Sequence, residues 1–184
     1  MDARALSTFE RIDQAELRFC RILNRSSRLS PICLLFRWIS KLGDGWFWYA
    51  WIAFLPLTHA ANGRAVAVQL IVTGVVGVVL YKLIKNSAVR ERPFITHSSI
   101  NCQTAPLDRY SFPSGHTMHA VAFSWMILNA YPQYGVVLAI STGLIALSRI
   151  VLGLHYPSDV FAGGILGGLL ASVSGLIAAG FLTD

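Results

Sequence analysis

Charged amphipathic stretches occupy the first 43 positions of the chain, and long apolar stretches follow. Residues 7–25 place Phe9, Ile12, Ala15, Phe19, Ile22 and Leu23 on one face at helical spacing. Arg11, Asp13, Glu16, Arg18, Arg21 and Arg25 fall elsewhere, a pattern that predicts an amphipathic helix lying in a membrane interface or against a partner. Ser7 and Glu10 stand at capping-box spacing at its start. Ser30-Pro31, a cap followed by a first-turn proline, predicts a second helix with Ile32, Leu35, Phe36, Ile39 and Leu42 on its apolar face and Gly43 at its end. Arg37 and Lys41 make it too short and too charged to span. Five apolar segments follow, at residues 46–60, 65–84, 117–131, 136–153 and 160–182. A span needs roughly 20 residues, with a lower limit of about 17, so the first and third require flanking residues to cross. Trp46, Trp48, Tyr49 and Trp51 crowd one end of the first segment, as an interfacial belt does. The pattern predicts an all-α integral membrane bundle of about five transmembrane helices over residues 44–184. An amphipathic N-terminal segment, residues 1–43, precedes it.

Composition agrees. Of 184 residues, 54% are hydrophobic and 13% charged, against about 25% charged in a soluble domain. Residues 1–30 carry six arginines and no apolar run of signal-peptide length, so the spans are expected to be internal and retained. The net charge of +6 fits anionic lipid headgroups and basic loops; no motif for nucleic acid accompanies it. Cys20, Cys33 and Cys102 form an odd set without metal spacing, and read as small apolar residues. Gly163/Gly167 and Gly164/Gly168 lie four apart in the last span, which lets helices approach closely. Packing inside one bundle is the expected use, and the oligomeric state stays open.

The longest polar stretch, residues 85–115, holds Lys85, Arg90, Arg92, His97, Arg109 and the turn Pro113-Ser114-Gly115, and a loop of this length is usually functional. Arg149, His155 and Asp159 lie around the short loop between the last two segments. If the spans alternate, all of these reach one membrane face. Three cations (Lys85, Arg92, Arg149) beside two histidines and a carboxylate make an anion site of the kind phosphoryl transfer requires. Cations neutralise the phosphoryl oxygens while a nucleophile and an acid stand in line. Gly115 allows close backbone approach, and the following helix start offers free N–H groups. Pro157 marks another helix start just after His155, and Asp159, four residues on, is near enough to hold the His155 ring and select its tautomer.

Lys85, six residues, then Arg92-Pro93; Pro113-Ser114-Gly115-His116; and Ser148-Arg149, five residues, His155, three residues, Asp159 together form a three-part pattern. It resembles the signature of the type 2 phosphatidic acid phosphatase superfamily, the lipid phosphate phosphatases, complete and in order over residues 85–159. The resemblance implies a metal-independent, cofactor-free hydrolase with its catalytic loop at residues 85–116. His155 would attack phosphorus to form a phosphohistidine, Asp159 would orient it, and His116 would protonate the leaving oxygen. Lys85, Arg92, Ser114, Gly115 and Arg149 would hold the phosphate. The substrate would be a lipid phosphate in the surrounding membrane: phosphatidylglycerophosphate, phosphatidic acid, undecaprenyl diphosphate or lipid A. The location would be a bacterial inner membrane, crossed several times. Vanadium haloperoxidases resemble the same site but are soluble. An inactive scaffold or transporter of the same fold is opposed by the completeness of the motif. No clustered carboxylates stand ready to hold magnesium.

Other polar residues read more plainly. His119 is expected to be a hydrogen-bonded neighbour, His97 and Arg109 solvated loop residues, and Arg90 an entrance or surface residue. Tyr110 and Phe112 are candidates for acyl-chain contact, Ser148 for a local hydrogen bond, and His59 lies near the opposite face. Fourteen of the fifteen Lys and Arg residues fall on the site's face, Arg64 alone on the other. The positive-inside rule then puts the site in the cytoplasm, whereas many bacterial relatives work on the outer face.

Overall fold

The computed structural model describes residues 3–106 and 108–180, with side chains from residue 14 onward. The elements are α1 (Ala3–Ser26), α2 (Ser30–Lys41), α3 (Phe47–Ser87), the single turn α4 (Pro93–Thr96), α5 (Gly115–Ala130), α6 (Gly135–Val151) and α7 (Pro157–Gly180). Among the described residues the only β pairing is an isolated bridge between Glu91 and Tyr110.

The first two apolar segments are the two arms of α3. A straight 41-residue helix would extend about 60 Å. Yet Asp44 just before it and Lys85 near its end line one cavity, and Trp48 and Gly74 both meet Phe123. The chain therefore doubles back, at His59 (φ −125°, ψ 17°) and Ala60 (φ 46°, ψ −123°). Pro56 interrupts the hydrogen-bond ladder just before the reversal. Gly63 sits where a Cβ would fall 2.0 Å from the Leu55 carbonyl oxygen, so a side chain there would force the arms apart.

The two arms, α5, α6 and α7 match the five apolar segments. Three helical stretches, residues 30–87, 132–151 and 157–180, are long and apolar enough to cross a membrane. The outward surface is what a bilayer requires: Val72, Val75, Val79, Val136, Ile140, Phe161, Ile165, Leu169 and Leu176 are all exposed. The core joins Trp48, Leu55 and Leu70 of α3 to Phe123, Met126 and Ile127 of α5 and Leu138 of α6. α5 is central, packing on α3, α6 and most extensively α7. Of the two glycine pairs, Gly163 and Gly167 press on α5 backbone; Gly164 and Gly168 have only ordinary contact distances before them, 4.0 Å to Val121 and 3.8 Å to Trp125 for an added Cβ.

Two sequence expectations change, at the start of α1 and at Trp48. The first helix begins at Ala3, so Ser7 and Glu10 lie within it rather than at its cap; their side chains fall outside the described ones. On the apolar stripe of α1 that the sequence placed in an interface or against a partner, Ala15, Phe19 and Ile22 are exposed, while Leu23 packs against the core. Cys20, Asn24 and Ser27 are the residues buried against α6, α7 and the loop after α4. Asn24 fastens that docking, donating to Asn101 O (2.9 Å) and Val151 O (3.0 Å) and accepting from Asn101 N–H (2.8 Å). Trp48, read as part of an interfacial belt, is buried edge-to-face on Phe123, while Trp46 and Tyr49 remain exposed.

Candidate active site

The site forms where five backbone ends converge: the turn 42–46 before α3, the end of α3, the start of α5, the end of α6 and the start of α7. Lys85, Arg92, His116, Arg149 and His155 line one cavity of about 680 Å³ there, together with Gly115. All five of those side chains are buried, and so is Asp159. The structure thus gathers six of the eight residues singled out in the sequence around one cavity wall, and a seventh, Asp159, stands behind His155. The eighth, Ser114, is fully buried, and its hydroxyl pairs with Thr117 Oγ1 (3.0 Å) rather than lining the cavity. Its backbone N–H donates to Asp159 O (3.0 Å), tying the start of α5 to the start of α7.

His155 is held between a cation and a carboxylate. Arg92 Nη1 approaches His155 Nε2 at 3.3 Å and also donates to Leu154 O (2.8 Å). Since a guanidinium can only donate, Nε2 carries the lone pair, and the ring proton of the neutral imidazole sits on Nδ1. Nδ1 lies 3.6 Å from Asp159 Oδ2, longer than a hydrogen bond, and has no other partner among the described residues. Burial, and then the charges of Arg149, Arg92 and Lys85, hold the His155 imidazole well below its ordinary value of 6.5, in its neutral form.

Two carboxylates absent from the sequence reading of the site occupy it. Asp108 Oδ1 bridges Lys85 Nζ (2.7 Å) and Arg92 Nη2 (2.8 Å), while Arg92 Nε donates to the Asp108 carbonyl (3.0 Å). Burial alone would raise the Asp108 carboxyl, but the hydrogen bonds and charges of Lys85 and Arg92 outweigh it and hold it below the usual carboxylate range. Asp44 pairs through Oδ1 with His116 Nε2. It sits in the turn 42–46, which Gly45 breaks with φ 137°, a conformation suited to glycine. The motif spacing carries no trace of either residue. The available signal was a lone acid between two glycines (Gly43-Asp44-Gly45) opening an apolar stretch, and an acid within the cation-rich loop.

Arg149 donates through Nη1 to Ser40 Oγ of α2, and its Nε has no partner among the described residues. Arg90, read as a surface or entrance residue, pairs instead with Asp159. His119 bridges Gly115 O (2.9 Å) and Gly74 O (3.2 Å), the neighbour role expected of it. Ser148 donates to Ile145 O (2.6 Å). Arg109 is exposed and pairs with Glu91, and neither it, His97, Tyr110 nor Phe112 lines the cavity. His59 packs on Tyr131 at the far end of the bundle. No group of three His, Cys, Asp or Glu side chains is placed to hold a metal among the described residues.

From the charged end the cavity continues between the α3 arms and α5. Its walls are Trp48, Ile52, Leu70, Ile71, Val75 and Phe123. Leu70 and Lys85, 15 residues apart on one arm, put its two ends about 22 Å apart.

Known proteins are similar to this chain. An undecaprenyl-diphosphatase of Sulfolobus acidocaldarius is 29% identical over 74% of this chain and 66% of its own length. A lipid A 1-phosphatase of Rhizobium johnstonii is 25% identical over 89% of this chain and 75% of its own length. The chain thus spans less than two thirds of the first of these and three quarters of the second. The crystal structure of Aquifex aeolicus LpxE superposes with a TM-score of 0.74 at 26% identity, covering 86% of this chain and 93% of that one. The family described as the PAP2 superfamily matches residues 63–179, the stretch that holds every motif residue, and this multi-pass integral membrane protein belongs to it.

Proposed function

We propose that the protein is a membrane lipid phosphatase that hydrolyses a phosphomonoester or diphosphate of a lipid through a phosphohistidine at His155. One observation carries the reading: a single cavity joins a buried group of three cations and two histidines to an apolar channel about 22 Å long. Phosphate suits the first part and a hydrocarbon tail the second.

In the reaction the His155 Nε2 lone pair attacks phosphorus as the bond to the leaving oxygen breaks, and His116 gives that oxygen its proton. Positive charge builds on the His155 ring, whose Nδ1 proton faces Asp159 Oδ2, and the carboxylate closes the 3.6 Å gap. Lys85, Arg92 and Arg149 neutralise the phosphoryl oxygens, with the Gly115 N–H at the start of α5 as a further donor. Water then attacks phosphorus, returning its proton to His116 and freeing His155. Ser114 contributes through its backbone link to Asp159 rather than through its hydroxyl. No metal takes part, so a chelator leaves the rate unchanged.

The candidates are the four lipids expected from the sequence, phosphatidylglycerophosphate, phosphatidic acid, undecaprenyl diphosphate and lipid A, and the relatives' names support the last two. The test is phosphate release from a detergent-solubilised panel of these four, with His155→Ala as control. Release by the wild type and none by the variant is expected; wild-type-like release by His155→Ala rejects the mechanism, and none by the wild type favours an inactive scaffold. The membrane is proposed to be the cytoplasmic one, with residues 1–43 on its surface, residues 44–184 within it and the site facing the cytoplasm. The Lys and Arg distribution supports this. A reporter fused after Asp184 then reads as external; a cytoplasmic signal rejects the orientation.

A further inference from the structure

Behind His155, on the side away from the cations, lies a second charged group that the phosphate chemistry leaves unused. Arg90 Nη1 donates to Asp159 Oδ1 at 2.9 Å and to Ser158 Oγ. Its other nitrogen, Nη2, donates to Glu16 Oε2 of α1 at 2.9 Å. The guanidinium stacks on the Tyr156 ring, 4.1 Å from its centroid, and the Tyr156 hydroxyl is tied to Thr96 Oγ1 (2.8 Å). Glu16 Oε1 also accepts the Ser158 N–H in the first turn of α7. Asp159 is fully buried and the Glu16 side chain is 8% exposed. Two buried carboxylates thus share one fork, a geometry that suits arginine and not lysine.

The division of the Asp159 oxygens is the informative part. Oδ1 belongs to Arg90. Oδ2 accepts the Tyr156 N–H (2.8 Å) and is the oxygen turned toward His155 Nδ1. A carboxylate can rotate about its Cβ–Cγ bond; the Tyr156 N–H holds one oxygen and the Arg90 guanidinium the other, so loss of Arg90 frees the carboxylate plane on one side. Arg90 in turn is aimed by Glu16, which reaches it across 74 positions of sequence from α1.

We propose that Arg90 and Glu16 are positioning residues of the hydrolysis. Glu16 holds Arg90, and Arg90 holds the Asp159 carboxylate in the rotation that presents Oδ2 to His155. α1 is then a part of the active site and not only an interfacial anchor. The inference rests on the reading of His155 and Asp159 as the working pair.

The test uses the full chain in detergent, on whichever panel lipid the wild type hydrolyses. Glu16→Gln keeps the shape and removes the charge; Arg90→Lys keeps the charge and removes the fork. Arg21→Ala is the control for docking of α1, since Arg21 bonds Ser99 (2.9 Å) on the same helix without touching this group. Misplacement of a reacting group by about 1 Å lowers rates by up to about 100-fold, so kcat is expected to fall about 10- to 100-fold in Glu16→Gln and Arg90→Lys, with KM within about twofold. Arg21→Ala keeps both. A wild-type kcat in the first two, or an equal fall in Arg21→Ala, overturns the inference. His155→Ala run alongside separates the two readings: if it stays active, the phosphohistidine reading fails. If it is dead while Glu16→Gln and Arg90→Lys are fully active, only the positioning role fails.

Discussion

Gly167→Ala should loosen the fold and slow the reaction, whereas Gly168→Ala, one residue on, should do neither. Replacing an exposed helical glycine by alanine ordinarily stabilises by about 0.5–1 kcal/mol. At Gly167 the new Cβ would lie 2.3 Å from the Met118 carbonyl oxygen, 3.0 Å from Val121 Cβ and 3.2 Å from the Ala122 nitrogen. Two of those three neighbours are backbone, so no rotamer change relieves the contact, and α7 must move off α5 by about 1 Å. Overpacking of this kind costs about 1–3 kcal/mol, so after the helix gain the net loss lies between about 0 and 2.5 kcal/mol, and the backbone contacts put it toward the upper end. The displacement reaches the chemistry, because one turn earlier Gly163 faces the Ser114 carbonyl oxygen (2.5 Å to an added Cβ), and Ser114 N–H is bonded to Asp159 O. His116 rides on α5 and Asp159 on α7, and a shift of about 1 Å between them is worth up to about 100-fold in rate. At Gly164 and Gly168 the nearest atoms are 4.0 and 3.8 Å away, so alanine there should keep activity and raise the melting temperature slightly. Thermal melting in detergent and phosphate release measure both effects. A Gly167→Ala protein as stable and active as Gly168→Ala would refute the reasoning.

Asp108→Asn frees Lys85 and Arg92 from a charge that competes with phosphate. The Asp108 side chain is 31% exposed, so screening leaves the ion pairs worth about 1 kcal/mol, and inorganic phosphate should inhibit about fivefold more tightly; unchanged or weaker inhibition counts against it. Asp44→Asn removes the charge beside His116 Nε2 and should lower kcat about tenfold on a lipid substrate but far less on p-nitrophenyl phosphate, whose leaving group needs no proton. Equal losses on both would show that Asp44 does not support the acid. The lowered His155 value means that the folded site stays neutral where the unfolded chain takes up a proton. The folded state then binds fewer protons, so stability falls as pH drops below about 6.5 and is unaffected by this group above it. In the free enzyme the acid limb of kcat/KM should also lie below 6.5, and a limb at or above that value would contradict a buried neutral nucleophile.

The helices and the motif residues were legible because each leaves a local trace. Apolar runs give the spans, Pro157 and Ser114-Gly115 mark helix starts, and Lys85, Arg92, His116, Arg149, His155 and Asp159 keep a fixed spacing. The residues that complete the site leave none. Asp44 meets His116 across 72 positions, and Glu16 meets Arg90 across 74. Such pairings depend on where the bundle brings its ends, and periodicity does not encode that. α1 shows a second limit. Its 3.6-residue period located an apolar stripe correctly, but a stripe does not say what it faces. Next to a bilayer, Phe19 and Ile22 can point outward, and the polar positions Asn24 and Ser27 turn inward, Asn24 to satisfy the Asn101 and Val151 carbonyls and Ser27 the Asn24 carbonyl. The reversal at His59–Ala60 takes up the last two residues of the first predicted segment; the gap to the next was legible as a break, though not as a tight turn that leaves the helix nearly continuous.

Asp108 gives the cation cluster a resident counter-ion. Three like charges gathered at a low-dielectric end of a bundle would repel one another during assembly, and a carboxylate on the 88–114 loop lets the bundle close around them before any lipid arrives. Binding is then an exchange of one anion for another, and affinity measures the difference between them rather than the full attraction of the cluster. An exchange also runs backwards: when phosphate is cleaved off, the carboxylate returns and helps to expel it. On the proposed phosphatase reading, turnover is therefore tied to the motion of the loop that carries Asp108.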